Sequence, residues 1–446
     1  MHDLVICGGV VVNHDEMYGA DIGVDDGRFS AIYQPGKAPA SRQRVDAAGL
    51  FVFPGFIDPH VHIGYPDRDW QDDCTATTQA AAAGGVTTVI DFLAGENSIK
   101  QQLAHALDQM ACHAWVDIAY HAGVFTWEHV RQIEEAAGLG LSSIKLDLPY
   151  QAKDTPADWR LTDDKLWESL CRVAGLGAPA VAMIHAENQM VIDHINDMAG
   201  DTPGETWSAW RPAFAEAEAI SRVGHFSQAS HCPIYIAHVG SAEAVSELKR
   251  LQRRGCRALG ETCAHYLMLN NENCDPYKGK INPPLRTAED NEAVWKGIAD
   301  GVLQCIGSDH SSCSLMHKNG LQNGIPGFAG VQTTLPVLLD GAHRRKLTLP
   351  QIAAIFSYNT AKAFGLSHCK GAVRVGLDAD FVLVDIDKRQ KVCAAQLLHS
   401  ADYSPFEGME LTGWPVATYL RGEKVAEHGA ITGKQPAGRF IPRFCR

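Results

Sequence analysis

Paired cysteines, an excess of basic residues and a membrane-length apolar run are all missing from this sequence, and each absence removes a class of function. The 13 cysteines are odd in number, scattered and never spaced as C-x-x-C. That excludes a disulfide framework and a thiolate zinc site, and it predicts reduced thiols in a cytoplasmic protein. Lys plus Arg number 39 against 52 Asp plus Glu, a formal charge of −13, so a phosphate backbone is repelled overall and no nucleic-acid partner is expected. No uninterrupted apolar run approaches the ~18 residues of a membrane span. The opening MHDLVICGGVVVNHDE carries early acidic residues where a secretory signal needs a basic and then an apolar region. A cytoplasmic protein without a membrane partner is the expectation. Low-complexity tracts and charge runs are also missing, while 46% hydrophobic and 20% charged residues in a chain of 446 supply an ample globular core.

The first fifty residues have short β texture: LVICGGVVV, then ADIGVDDGRFSAIY with a turn at Asp26-Gly27, then RVDAAGLFVFPG. An antiparallel unit is predicted there. From Phe56 onward, eight short apolar runs alternate with stretches of helical character: 56–60, 86–92, 115–121, 142–148, 180–185, 233–238, 256–263 and 302–308. Eight such βα units predict a closed (β/α)8 TIM barrel in an α/β chain. After about residue 370 the β texture returns. Neither end has enough strands to bury two faces alone, so the segments 1–53 and 371–446 are expected to pair into one small β-sandwich domain beside a barrel domain of 54–370.

Barrel active sites sit at the C-terminal ends of the strands. The first run ends in His60-Val61-His62, which places both imidazoles on one side of a strand. The fourth run contains Lys145, the fifth ends in His185, the sixth in His238, and Asp309 follows the eighth. Each residue alone has an ordinary explanation: a satisfied core histidine, a salt-bridged lysine, a helix N-cap. Independent core histidines, however, have no reason to fall at the same end of several different runs. Imidazole and carboxylate donors without thiolate suit zinc, with manganese, iron and cobalt as alternatives. Six donors exceed one tetrahedral ion. Two divalent ions need a bridging anion between them, and a lysine fits beside them only if neutral or converted to an anion, as in a carbamate formed with carbon dioxide.

The segments FPGFIDPHVHIG (53–64), AAAAGGVTTVIDF (80–92), SSIKLDLPY (142–150), IHAEN (184–188), YIAHVG (235–240), INPPLR (281–286), IGSDHSS (306–312), NGIPG (323–327) and DYSPFEGMELTGWPVATYLRGE (402–423) resemble the cyclic amidohydrolases of the amidohydrolase superfamily, most closely the hydantoinase/dihydropyrimidinase branch. The resemblance runs in order across nearly the whole chain. It implies a barrel with a composite β-sandwich, a binuclear centre bridged by carboxylated Lys145, and a homodimer or homotetramer. His60 and His62 with Asp309 would hold one ion, and His185 and His238 the other. By the same likeness Tyr150, five residues past the lysine, would donate to the oxyanion, while Asn282 and Asn323 would hold the cyclic amide through their backbone groups.

The implied reaction is hydrolysis of the ring amide of a hydantoin or dihydropyrimidine ureide to an N-carbamoyl amino acid. Water made acidic by the two cations attacks, and Asp309 serves as general base and then acid. Allantoinase and dihydroorotase are the alternatives, although a dihydroorotase would be expected to show an arginine where this chain has Gly64. A scaffold relative that keeps the barrel but not the chemistry would lack donors that are all present here. Tyr65, Trp70 and Trp159 in the loops predict an apolar or aromatic ring substituent, and Arg222 and Arg286 are the candidates for gripping an acidic one. The terminal GRFIPR is expected to lie on a partner subunit.

Overall fold

Apolar runs that read as continuous become strands only when neighbours and helices cover both of their faces. In a computed structural model, which describes residues 1–66, 68–151, 155–199, 206–320 and 324–445, eight such strands lie side by side in chain order. They are Phe56–Asp58, Val86–Leu93, Asp117–Gly123, Ser143–Asp147, Val181–His185, Ile234–Ile236, Ala258–Cys263 and Cys305–Gly307, and all neighbours are parallel. Each of the eight predicted runs contributes one strand. Helices alternate with them, and local chemistry marks where they begin: Ser98 with Gln101 and Thr287 with Asp290 form capping boxes on the helices Ile99–Met110 and Ala288–Ala299. Among the described residues no helix is long and apolar enough to cross a membrane.

The first and eighth strands are joined by a side chain in place of a backbone ladder. Asp58 Oδ1 accepts from the His60 amide at 3.1 Å and from the Ser308 amide at 3.0 Å. Just above, Val61–His62 pairs in parallel with His310–Ser311. Gly307 makes this seam sterically feasible, because a Cβ there would stand 2.9 Å from His60 Cβ and 3.0 Å from Glu261 Cδ.

The chain ends build a second sheet of nine strands, in which Phe381–Lys391 from the C-terminal half pairs with Phe51–Pro54 from the N-terminal half. The Asp26-Gly27 turn has positive φ at both residues, 50° and 73°, as a two-residue hairpin turn requires. One detail departs from the antiparallel expectation: Ser41–Asp46 and Phe51–Pro54 both run parallel to His2–Val12. Phe29 and Phe381 lie four strands apart in sheet order, about 19 Å on a flat sheet, yet their ring centroids are 6.4 Å apart. The sheet therefore folds over on itself, enclosing Leu4, Ile6, Ile22, Phe29, Val52, Phe381 and Tyr419 as a core of its own.

A buried ion cluster ties this sheet to the floor of the barrel. Lys370 Nζ lies 2.6 Å from Asp117, 2.5 Å from Asp380 and 3.1 Å from Asp378, and Arg421 also holds Asp117, at 2.6 Å. The three carboxylates keep the Lys370 ammonium charged against its burial. The C-terminal tail differs from expectation. It packs on its own barrel, where the Ile118 amide donates to Arg439 O (2.9 Å) and the Arg443 amide to Gly140 O (2.8 Å). Arg443, wholly buried, reaches Ser143 Oγ at 2.9 Å. The open lower end of the barrel provides both the apolar surface and the acceptors that the tail uses.

Replacing Lys370 with Met leaves the buried carboxylates of Asp117 and Asp380 with Arg421 as their cation. We expect a loss of about 3–5 kcal/mol, read as a lower urea midpoint; a midpoint within error of the parent would show that the cluster contributes nothing net.

Candidate metal centre

Strand polarity delivers the predicted donors to the same end of the barrel, and the side chains meet there. His60, His62 and Asp309 have donor atoms all within 4.8 Å of one another. His60 Nε2 stands 3.1 Å and His62 Nε2 3.2 Å from the same oxygen, Asp309 Oδ1. His185 Nδ1 and His238 Nε2 are 3.1 Å apart. With Lys145, these residues line one cavity of about 270 Å³, whose walls include Tyr65, Phe92, Phe125, Asp147 and Asn282.

Neighbouring carboxylates fix which ring nitrogens face inward. His60 Nδ1 donates to Glu261 Oε1 at 2.8 Å, which turns Nε2 toward Asp309. His185 Nε2 donates to Glu187 Oε2 at 2.7 Å, which turns Nδ1 toward His238. Glu187 is itself clamped by Arg211 at 3.0 and 2.6 Å. In the neutral rings these inward nitrogens are lone pairs, so His60 Nε2 meets Asp309 Oδ1 acceptor to acceptor. A cation or a proton must lie between two such atoms. A tetrahedral ion with 2.0–2.1 Å bonds has edges of about 3.3–3.4 Å, close to the spacings seen, so the donor set fits a divalent metal.

The electrostatics agree. Burial, reinforced by neighbouring cationic groups, pushes the His238 ring well below its usual range, and burial outweighs Asp309 in pushing His62 down, so both favour the neutral form that binds metal. At His60, burial is overcome by Asp309 and Glu261, which raise it. Burial disfavours the charged form of Asp309, but the surrounding imidazoles, His60 first, hold it well below the carboxylate range. Asp309 and His238 have left-handed backbones, φ 50° and 39°. Such strain is sustained where the surroundings over-determine a functional geometry.

The remaining expectations divide. Asn282 lines the cavity and its Oδ1 accepts from Trp207 Nε1 at 2.9 Å. Tyr150 lies in the turn Leu148–Gln151 directly after the lysine strand, but its side chain is outside the described residues, as is all of Asn323. Tyr65 reaches the cavity wall; Trp70 and Trp159 are not among the lining residues, and Trp159 instead stacks on Phe125 at 5.0 Å. Arg222 pairs with Asp163 and Arg286 with Glu216, away from the cavity, and among the described residues no arginine lines it.

Sequence reasoning passed over Asp58, Asp147, Glu187 and Glu261. A signal existed for three of them. Asp58 and Asp147 lie two residues from His60 and Lys145, hence on the same strand face, and Glu261 lies two residues before the end of the seventh run. Asp147 Oδ1 is 3.0 Å from Lys145 Nζ. Its carboxylate is held low, burial notwithstanding, by that lysine first.

The profile of the amidohydrolase family matches residues 51–165 and 216–425. The D-hydantoinase of Ralstonia pickettii is 31% identical over 99% of this chain and 99% of its own. The allantoinase of Rubrobacter xylanophilus is 34% identical over 98% of this chain and 97% of its own. Among solved structures, the dihydropyrimidinase of Brevibacillus agri superposes with a TM-score of 0.91 at 29% identity, covering 99% of both chains. The L-hydantoinase of Arthrobacter aurescens gives 0.92 at 29%, covering 99% of this chain and 100% of its own.

Outer-shell carboxylates that orient ligating histidines affect metal affinity about 10–100-fold. Glu261→Gln is therefore expected to weaken zinc binding by about that factor in a chelator competition. Unchanged affinity would restrict Glu261 to its bonds with the Tyr235 hydroxyl and the His238 amide, 2.8 and 3.1 Å.

Proposed function

The chain belongs to the amidohydrolase family, in its hydantoinase branch, and from that premise we propose that it hydrolyses the cyclic amide bond of a ureide ring, hydantoin or dihydropyrimidine in type, to an N-carbamoyl amino acid. The observation that carries the reading is the convergence of four imidazoles, a carboxylate and a lysine on one cavity.

His60, His62 and Asp309 would hold one divalent ion and His185 and His238 a second, with Lys145, carboxylated by carbon dioxide, bridging the pair; donor type favours zinc. Bound there, the ions supply a water acidic enough to ionise near neutral pH and a Lewis acid for the ring carbonyl. In this reading Asp309 takes the proton of the attacking water. The new C–O bond forms at the ring carbonyl carbon, the C–N bond breaks, and Asp309 returns the proton to the departing nitrogen. Tyr150 is assigned the hydrogen bond to the oxyanion, and Asn282 and Asn323 the orientation of the ring amide.

The site favours some rings over others. Dihydroorotate carries a carboxylate, and the described lining offers it no arginine while presenting Asp147 and Asp309. Allantoin is the second reading, supported by the 34% identity to an allantoinase. A non-catalytic scaffold would have no use for a complete donor set with oriented tautomers. We further assign the protein to the cytoplasm as a homodimer or homotetramer; its 13 unbonded cysteines support a reducing compartment.

The test is ring opening of dihydrouracil, hydantoin, 5-phenylhydantoin, allantoin and dihydroorotate by the metal-loaded protein, with metal content measured alongside. Turnover of the uncharged ureides is expected, abolished by a chelator and restored by zinc. Asp309→Asn should lower kcat by about 10²–10⁴-fold. Turnover of dihydroorotate alone, or full activity without metal, would overturn the reading.

A further inference from the structure

The short segment 206–211 is tied to the stretch 280–286 at both of its ends. Near its start, Trp207 Nε1 donates to Ile281 O at 3.1 Å and to Asn282 Oδ1 at 2.9 Å. The Lys280 ammonium covers the face of the same indole, 4.0 Å from the ring centroid. At its end, Arg211 O accepts from Arg286 Nη1 at 3.0 Å, while the Arg211 guanidinium holds Glu187.

From Lys280 to Pro283 the backbone carbonyls can be accounted for one by one. Lys280 O accepts from the Gly327 amide at 2.9 Å and from Lys318 Nζ at 2.8 Å. Ile281 O takes the indole, and Pro283 O takes the Tyr266 hydroxyl at 2.5 Å. Asn282 is the exception. Among the described residues its backbone N–H, its C=O and its Nδ2 have no partner, and it lines the cavity. A ring amide offers one N–H and one C=O, which an open backbone C=O and N–H complement.

The Ile281 carbonyl and the Asn282 N–H belong to one planar peptide unit and point in opposite directions. Holding the Ile281 oxygen therefore sets the direction of the Asn282 N–H. The second acceptor of the same indole, Asn282 Oδ1, fixes the side chain. One donor thus governs both the peptide plane and the side chain of the residue whose polar groups remain open.

We propose that Trp207 is a positioning residue for the substrate ring: its indole N–H orients Asn282, and the open groups of Asn282 hold the ring amide. Its loss should weaken binding and leave the metal chemistry in place. The inference rests on the ureide-hydrolase reading and adds to it a residue outside the metal donors.

The experiment measures kcat and KM for hydantoin and dihydrouracil, with bound zinc determined for each protein: the wild type, Trp207→Phe, Trp207→His, Asn282→Ala and the double variant Trp207→Phe/Asn282→Ala. Trp207→Phe keeps an aromatic ring and loses the donor. Its KM should rise about 3–30-fold, with kcat within about twofold of the wild type and zinc unchanged. Trp207→His places a ring N–H two bonds from Cγ, where the indole has its own, and should recover most of the KM. Asn282→Ala should raise KM in the wild-type background and add little to Trp207→Phe. An unchanged KM in Trp207→Phe, a His variant no better than the Phe variant, or additive effects would overturn the inference and spare the ureide reading. A loss confined to kcat or to zinc would overturn it as well, because Trp207 would then act on the metal side through Arg211 and Glu187. If Trp207→Phe fails to fold, the other single variants decide: KM must stay near the wild type in Trp207→His and rise in Asn282→Ala. Failure of the wild type to open any ring would overturn the ureide reading, and this inference with it.

Discussion

The closing seam between the first and eighth barrel strands is the contact on which the site depends. Asp58 receives the amides of His60 and Ser308, residues almost 250 positions apart, on one carboxylate oxygen. Gly307 lets the two strands approach to where His60 and Asp309 meet at 3.1 Å. Burial pushes the Asp58 carboxyl up to about 7 despite those hydrogen bonds. Such a group is held in place only by a structure that needs it there. Without the seam, the His60-His62 pair and Asp309 would lie at the two free edges of an open sheet.

Around that seam the site is arranged by charge and tautomer. Two of the four imidazoles present a nitrogen lone pair inward because a carboxylate outside takes the opposite ring proton, Glu261 for His60 and Glu187 for His185. Glu187 in turn is fixed by the buried guanidinium of Arg211. The rigid inner layer ends at Asp309 and His238, where the backbone is held in the left-handed region. The cavity wall beside it is mixed, with Tyr65, Phe92 and Phe125 as well as the carboxylate of Asp147.

The lower end of the barrel is equally constrained, for a different reason. Burying Lys370 among three aspartates joins the barrel, the folded sheet and the tail-side loops through charges that are costly to separate. The tail adds a second closure by seating Arg443 under the strands. The active end and the floor of the same barrel are thus held by unrelated interactions, which allows the cavity residues to vary without loosening the frame.

The sequence by itself determined the eight strands, because apolar runs of four to eight residues flanked by helical stretches have few other solutions, and it determined that six polar side chains meet at one mouth, because strand ends in a parallel barrel share one direction. His60, His62, Lys145, His185, His238 and Asp309 were legible for that reason. Tertiary structure alone decided the rest. Glu261 orients His60 from 201 residues away, Arg211 reaches Glu187 from a separate helical segment, and the sheet folds over so that Phe29 meets Phe381. Those relations depend on which strands become neighbours and how a sheet bends, and no local spacing encodes either. Asp147 lies between the two cases: period two put it on the inner face with Lys145, but only the closed barrel brought His185 and His62 near it.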